Sequence, residues 1–422
     1  MSPFKRSAFM RPFAPVLLAL LLGSGTLVPA QAVITNVDIC IDFQTNFTDL
    51  GGDWWFTNDD RPARGIWLSV LDWGTAAEMF PTHYTDWVYG NGGCATVALD
   101  TARTYLIYTE SRAEVNGVEI NSYDDTVTPD EAIYIHDLVY TPAVGDVLNF
   151  DLPADTQYGQ LAVATWAFYR NNAGLAGGPA LIEFFDDGCC NGGAEIQAST
   201  TSKFIIGHEL GHGVGFRRDL ETNPAFSYTA NEDGCDGDNV ATNKHGQVSK
   251  EFQSGAAVEG FADFYAAWAW NKKSQNDCVY DRHYSSDFDM DGTNATSNGQ
   301  VSCEGIPTDG LAAVTTDFVL SSITARDWLE DVINAGFCTN PLTNRGTQYD
   351  WLRFWWDMVS PDEAIPFEDL VSTYDFMNPR IFDTNGSTAT TSDDPVDRLV
   401  TACSLMGIST PCANQDNNGV DH

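Results

Sequence analysis

Hydrophobic and polar positions alternate along the first third of the chain. Short segments at residues 37–43, 65–71, 96–99 and 104–110 are rich in β-branched and aromatic residues, and clusters of Gly, Asn and Asp separate them. This pattern is typical of strands joined by tight turns. It predicts a β-rich, sandwich-like module over residues 33–153, which is either a separate binding domain or the β-rich front of a larger enzyme.

The hydrophobic period becomes helical after residue 153. Helices are predicted at residues 157–169 and 254–271, and residues 199–202 supply the N-cap of another helix that reaches about residue 212. The remaining predicted elements are a strand at 179–185 and helices at 316–333 and 349–359. The expected fold class is therefore α+β, with a mainly helical C-terminal part in a second domain that spans residues 154–422.

The N-terminus has the three parts of a secretory signal peptide. Basic residues precede an apolar run at residues 16–22, and Ala30-Gln31-Ala32 fits a cleavage site. The apolar run is well short of the ~20 residues that a membrane span needs. We therefore expect residues 1–32 to be a signal peptide and the mature chain to be secreted, extracellular or periplasmic, without a membrane span.

The net charge excludes one class of binding partner, and the cysteine content indicates disulfides. The formal net charge of −38 excludes nucleic-acid binding through a phosphate-neutralising basic face. The 10 cysteines are an even number, which in an exported protein indicates disulfides. Pairs such as Cys40 with Cys94, or Cys403 with Cys412, are compatible with the spacing, but the sequence does not fix the connectivity.

The motif with the most specific chemistry is His208-Glu209-Leu210-Gly211-His212. On a helix, His208 and His212 leave the same face one turn apart and can bind one ion. Zinc suits neutral imidazole ligands, and Glu209 can act as the general base toward a water molecule at the ion. With 7 histidines in the chain, chance would produce this motif only about 0.005 times. We therefore expect a zinc site here.

A second predicted helix offers the remaining ligand. Catalytic zinc usually has three protein ligands and a water, and Glu259 is the candidate for the third. Asp263 follows one helical turn later and can orient the imidazole of His208. The other residues around Glu259 and Asp263 are mostly Ala and aromatic, so two carboxylates in this helix would be costly to bury without a metal or a partner.

These two motifs together, His208-Glu209-x-x-His212 and Glu259-x-x-x-Asp263, resemble the gluzincin zinc metallopeptidases, the thermolysin-like clan. The resemblance covers about residues 202–268. It implies a two-lobed zincin-type domain with a mainly helical C-terminal lobe and a peptide or protein as substrate. It also implies that His208, His212 and Glu259 bind zinc and that Glu209 is the catalytic base. Such enzymes stabilise the oxyanion with a His or Tyr, for which His283 is the candidate and Tyr265, Tyr280 and His245 are alternatives.

Other interpretations of the same residues stay open. His208-x-x-x-His212-x-x-Gly215 also resembles the first part of the metzincin motif, where the third ligand would fall on Arg218 or, one place off, on Asp219. Arg cannot bind zinc as a cation. The chain could also be a non-catalytic secreted zinc-containing binding protein, or a zinc hydrolase that acts on something other than peptides.

An acidic loop suggests a second kind of metal. Asp287, Asp289 and Asp291 alternate and precede Gly292, which resembles the start of a calcium loop. The position of the bidentate Glu of an EF-hand is Asn298, so an EF-hand is not expected. Two interpretations of this loop remain: a calcium site without EF-hand geometry, and an acidic turn that binds no metal.

Overall fold

The fold is described from a computed structural model of the chain. The structure describes residues 32–44, 60–63, 65–75, 83–84, 93–124, 132–133, 135–152, 156–172, 181–185, 195–197, 203–216, 251–270, 279–280, 301–302, 345–346, 348–359, 364–377 and 395–408. The predicted features that lie outside these residues are the signal peptide up to residue 31, the N-cap at 199–202, the helix at 316–333, Cys412 of the suggested pair with Cys403, and the site candidates Asp219, His283, Asp287, Asp289 and Asp291.

Both strands and helices occur in the described residues, so the chain is α+β. The strands are β1 (Ile34–Gln44), β2 (Asp60–Pro62), β3 (Ile66–Asp72), β4 (His83–Tyr84), β5 (Cys94–Asp100), β6 (Tyr105–Val115), β7 (Val118–Asp124), β8 (Ala132–Ile133), β9 (Ile135–Tyr140), β10 (Val147–Leu152), β11 (Leu181–Phe185), β12 (Glu195–Gln197), β13 (Glu251–Phe252), β14 (Val279–Tyr280), β15 (Val301–Ser302) and β16 (Arg345–Gly346). The helices are α1 (Thr156–Asn172), α2 (Lys203–Phe216), α3 (Gln253–Trp270), α4 (Gln348–Val359), α5 (Phe367–Met377) and α6 (Pro395–Met406). The predicted strands that begin the chain are confirmed as β1, β3, β5 and β6, and the predicted helices at 157–169, 254–271 and 349–359 as α1, α3 and α4.

The smaller of the two main sheets is built around β1. Strand β10 runs parallel to β1 on one side, while β5 and β2 pair with it in antiparallel fashion. Alternation explains the strand, because Val37, Ile39 and Ile41 are fully buried while the residues between them face outward. A disulfide joins the directly paired Cys40 and Cys94, as the sequence suggested.

The larger sheet has eight strands, with β12, β11, β7, β6, β3 and β4 in this order and with β8 and β9 paired to β7 and β6. Its central hairpin, β6–β7, turns at Asn116 and Gly117, both with positive φ, as a two-residue hairpin turn requires. Strand β11 lies beyond residue 153 and pairs in parallel with β7, which lies before it. The division of the chain into two domains at residue 153 stays a prediction, but strands from both sides of that position share this sheet.

Helix α1 links the larger sheet to the helical part of the chain. The Tyr158 hydroxyl donates a 3.1 Å hydrogen bond to the carbonyl oxygen of Thr109 on β6, and the Ser122 hydroxyl on β7 donates a 2.8 Å bond to Gln160. These groups are buried, so pairing them avoids the cost of unsatisfied polar atoms. Helix α1 also packs against α2 and α3.

An aromatic cluster covers α3 on the side of the C-terminal helices. The ring of Phe261 on α3 stacks on Tyr374 of α5 with centroids 4.0 Å apart and meets Trp355 of α4 edge-on. Trp268 of α3 packs edge-on against Trp356 of α4. Large buried aromatic side chains contribute much of the stability of such a core. Helix α3 is therefore enclosed, with every residue from 256 to 269 buried.

Candidate metal centre

The centre is formed by two helices that approach each other unusually closely. Helix α2 carries His208, Glu209 and His212, and α3 carries Glu259 and Asp263. A Cβ atom added at Gly211 would lie 2.8 Å from Ala262 Cα and 2.9 Å from Tyr265 Cβ, closer than carbon atoms pack. A glycine between the two histidines is therefore what lets the backbones come near enough for side chains of both helices to meet.

Three side chains converge at this contact. The Nε2 atoms of His208 and His212 lie 3.0 Å apart. The carboxylate of Glu259 spans both rings, with Oε2 at 3.1 Å from His208 Nε2 and Oε1 at 3.3 Å from His212 Nε2. All three residues are largely buried, and Glu259 is only 2% exposed. Two nitrogen atoms and a carboxylate thus point at one small volume inside the protein.

The geometry and the donor set fit a divalent metal ion. The ligand atoms of His208, His212 and Glu259 all lie within 4.8 Å of one another. Four-coordinate zinc with bonds of about 2.0–2.1 Å places its ligand atoms roughly 3.3–3.4 Å apart, which is close to the separations observed here. Two imidazoles and one carboxylate form one of the known ligand sets of zinc with an open fourth position.

Asp263 fixes the orientation of the first histidine. Its Oδ1 atom lies 2.7 Å from His208 Nδ1, and the carboxylate is buried. Because a carboxylate oxygen accepts hydrogen bonds, the Nδ1 atom of His208 carries the hydrogen and donates a hydrogen bond to Asp263 Oδ1. In the neutral ring, Nε2 then presents its lone pair to His212 and Glu259, which is the tautomer that binds a metal.

The electrostatics of the centre keep Glu259 ionised. Burial acts to raise the pKa of Glu259, but the charge and hydrogen bonds of His212 and His208 outweigh it, and the pKa lies far below the ordinary value. For His208, burial acts to lower the pKa, yet the hydrogen bonds with Asp263 and Glu259 raise it well above the ordinary value. The cluster therefore holds a negative charge on Glu259, where a cation would be stabilised.

Glu209 directly follows His208 on α2 and is buried. The residue is 6% exposed, and its Oε2 atom is buried without a hydrogen-bond partner among the described residues. A buried carboxylate oxygen that lacks a partner is costly. Such an atom is expected where the protein holds a group ready for a ligand or a water molecule.

Two further glycines let neighbouring helices approach the centre. Gly260 follows Glu259 directly, and a Cβ there would collide with Trp351 and with the backbone of Gln348 on α4. At Gly215, a Cβ would lie 2.9 Å from Cε1 of Tyr374 on α5. The sequence reasoning did not single out these glycines for packing, although a glycine inside a helical pattern often has a packing reason.

The structure thus brings together four of the residues predicted from the sequence, His208, His212, Glu259 and Asp263, at the contact of α2 and α3, and Glu209 follows His208 on α2. The oxyanion candidate His283, the alternative ligand Asp219 and the acidic loop at residues 287–291 lie outside the described residues. Their roles stay predictions.

Comparisons of the chain with models of known families, with curated proteins and with solved structures gave no match. Among the helices that the structure describes, none has the length and apolar character needed to cross a membrane. The interpretation of the centre therefore rests on its own geometry and chemistry.

Proposed function

We propose that this protein is a secreted zinc-dependent metallopeptidase. The observation that carries the proposal is the convergence of His208, His212 and Glu259, with ligand atoms within 4.8 Å of one another, next to a buried carboxylate oxygen of Glu209 that has no partner among the described residues. Secretion is proposed from the signal-like N-terminus.

His208, His212 and Glu259 would hold the zinc ion. Bound zinc supplies Lewis acidity, which makes water nucleophilic at neutral pH and polarises a carbonyl group. Glu259 within 3.3 Å of His212 favours this ligand set over the metzincin-like one with Asp219. Asp263 holds His208 in the tautomer that binds metal, through its 2.7 Å contact with Nδ1.

Glu209 would act as the general base. Its carboxylate accepts a proton from the attacking water and then delivers that proton to the amine that leaves when the peptide bond breaks. The proton is conserved over the two transfers, so Glu209 is ready for another cycle. Glu209 is 6% exposed, so its carboxylate is shielded from bulk water.

The arrangement of elements supports a two-lobed architecture. Helices α1 and α2 contact strands of the larger sheet, while α3 packs on α4 and its Phe261 stacks on Tyr374 of α5. The centre would then lie at the junction of a mixed lobe and a helical lobe. The sharing of a sheet by β7 and β11 favours the view that the β-rich module is the front of this enzyme rather than a separate binding domain.

The test is the Glu209→Gln variant, with Glu114→Gln on the exposed surface of β6 as a control. We expect Glu209→Gln to bind zinc as the wild type does while hydrolysis of an unfolded protein such as casein falls by about 10²–10⁴-fold. The control should keep full activity. Full activity in Glu209→Gln would refute the mechanism. Zinc binding without hydrolysis of any peptide by the wild type would instead favour a binding protein or a different hydrolase.

A further inference from the structure

A buried asparagine at the end of α1 contacts the helix that carries Glu259 and Asp263. Asn171 is 4% exposed, and its Nδ2 atom donates a 2.7 Å hydrogen bond to the backbone carbonyl oxygen of Tyr265 on α3. Arg170, its neighbour, donates from Nη1 to the carbonyl oxygen of Ala269, one turn further along α3. Two consecutive side chains of α1 thus bind two successive turns of α3.

The bond from Asn171 is not needed to satisfy the backbone of α3, whereas the bond from Arg170 serves a carbonyl oxygen of the last turn. Within a helix, the carbonyl oxygen of residue 265 already accepts the amide hydrogen of the residue four places later. A carbonyl oxygen has two lone pairs, so the bond from Asn171 is an additional one. Its effect is to fix the rotation and the axial position of α3 against α1.

The residue that Asn171 holds is also the residue at which α3 touches α2. Tyr265 Cβ would lie 2.9 Å from a Cβ at Gly211, and the backbone of Ala262 would be equally close. Gly211 directly precedes His212. Helices α1, α2 and α3 therefore meet at one junction, with the backbone of Tyr265 held by α1 and its side chain packed on the metal-binding segment of α2.

A small movement of α3 at this junction would change the ligand distances. Glu259 and Asp263 lie within two turns of Tyr265 on the same helix, and their contacts with His212 and His208 measure 3.3 and 2.7 Å. A metal site tolerates errors of only about 0.2 Å in ligand position. The bonds that fix α3 against α1 therefore also fix the positions of Glu259 and Asp263 relative to α1.

We propose that Asn171, assisted by Arg170, is a positioning residue of the metal centre. It acts through the backbone of Tyr265, and it sets the separation between the histidines of α2 and the carboxylates of α3. This inference rests on the proposed metal binding at His208, His212 and Glu259, and it adds a residue of α1 that is not among the proposed ligands.

The test compares two variants of the same helix. Asn171→Leu removes the bond to α3, while Gln160→Leu removes a buried bond between α1 and Ser122 of the larger sheet. Both replace a buried amide by a similarly sized apolar group. The full-length proteins are titrated with Zn²⁺ against a chromogenic chelator, and the unfolding of each chelator-treated protein is measured in urea.

We expect both variants to lose stability. Only Asn171→Leu should bind zinc more weakly, by about tenfold, which is the lower end of the loss seen when groups that orient metal ligands are removed. An Arg170→Met variant, at a partly exposed position, should weaken zinc binding in the same direction and remains informative if Asn171→Leu does not fold. Equal zinc affinities in Asn171→Leu, Arg170→Met and the Gln160→Leu control would overturn the inference. A wild type that binds no zinc would instead refute the proposed function on which the inference rests.

Discussion

The close approach of α2 and α3 at Gly211 gives the sharpest test of how the centre is built. In Gly211→Ala, the new Cβ would lie 2.8 Å from Ala262 Cα, whereas carbon atoms in contact prefer about 3.5 Å or more. The two helices must therefore separate by about 0.7 Å. A shift of that size along the line between the ligands would lengthen the 3.3 Å contact between Glu259 and His212 to about 4 Å.

The consequences for stability and for metal binding differ in size. Overpacking typically costs about 1–3 kcal/mol, and the better helix propensity of Ala returns about 1 kcal/mol. We therefore expect the free energy of unfolding in urea to fall by only about 0–2 kcal/mol. Zinc affinity should fall by about 10–100-fold, as it does when the groups that place metal ligands are disturbed. Competition with a chromogenic chelator measures this loss.

Gly215→Ala is the matched control because it makes the same chemical change in the same helix. Its new Cβ would press on the ring of Tyr374 of α5 at 2.9 Å rather than on the backbone of α3. We expect a similar change in stability and an unchanged zinc affinity. Unchanged zinc affinity in Gly211→Ala, or an equal loss in Gly215→Ala, would refute the view that Gly211 sets the ligand geometry.

Three further predictions concern single contacts. Asp263→Ala should weaken zinc binding by about 10–100-fold in a chelator competition, because the imidazole that it orients loses its 2.7 Å partner. Replacing Cys40 and Cys94 together by Ala should lower the free energy of unfolding by up to about 4 kcal/mol in urea, from the loop entropy of a crosslink over 54 residues, and should leave zinc affinity unchanged. In Tyr140→Phe, the pKa of Asp146 should rise toward its ordinary value, since the hydrogen bond from Tyr140 is the main cause of its lowering. Above the unfolded-state pKa of Asp146, its lowered folded-state pKa stabilises the wild type, and this contribution is lost as the pH falls through the folded-state pKa. The free energies of unfolding of wild type and Tyr140→Phe should therefore converge in acid. Carboxyl NMR titration measures the pKa, and urea unfolding measures the stability.

Local elements were largely predictable because their signals are local. The alternation in β1 and β6 and the apolar character of α3 are visible in the sequence, and the corresponding elements are present. The pairing of His208 with Asp263 was also inferable, because helical spacing alone places each set of side chains on one face. The contact at Gly211 brings these faces of α2 and α3 together. It is a tertiary contact, and its only mark in the sequence is an isolated glycine.

Two features of the site region were missed for related reasons. The sequence places the end of α1 at about residue 169, but α1 continues to Asn172. Asn is a weak helix former, and only a partner on another helix, here the carbonyl oxygen of Tyr265, makes Asn171 favourable there. The parallel pairing of β7 with β11 was likewise hidden, since partners far apart in the sequence cannot be read from strand pattern alone.

The sharing of one sheet by β7 and β11 determines how the polypeptide can be assembled and divided. Strand β7 ends at Asp124 and its partner begins at Leu181, so an edge of the nascent sheet stays open during synthesis until α1 and the following segment have emerged. Cleavage between Leu152 and Thr156 would divide the chain but not the fold, because main-chain hydrogen bonds of the sheet and the buried bonds of α1 hold the two pieces together. Removal of the residues before 153 would therefore expose the faces of α1 and β11 that contact β6 and β7.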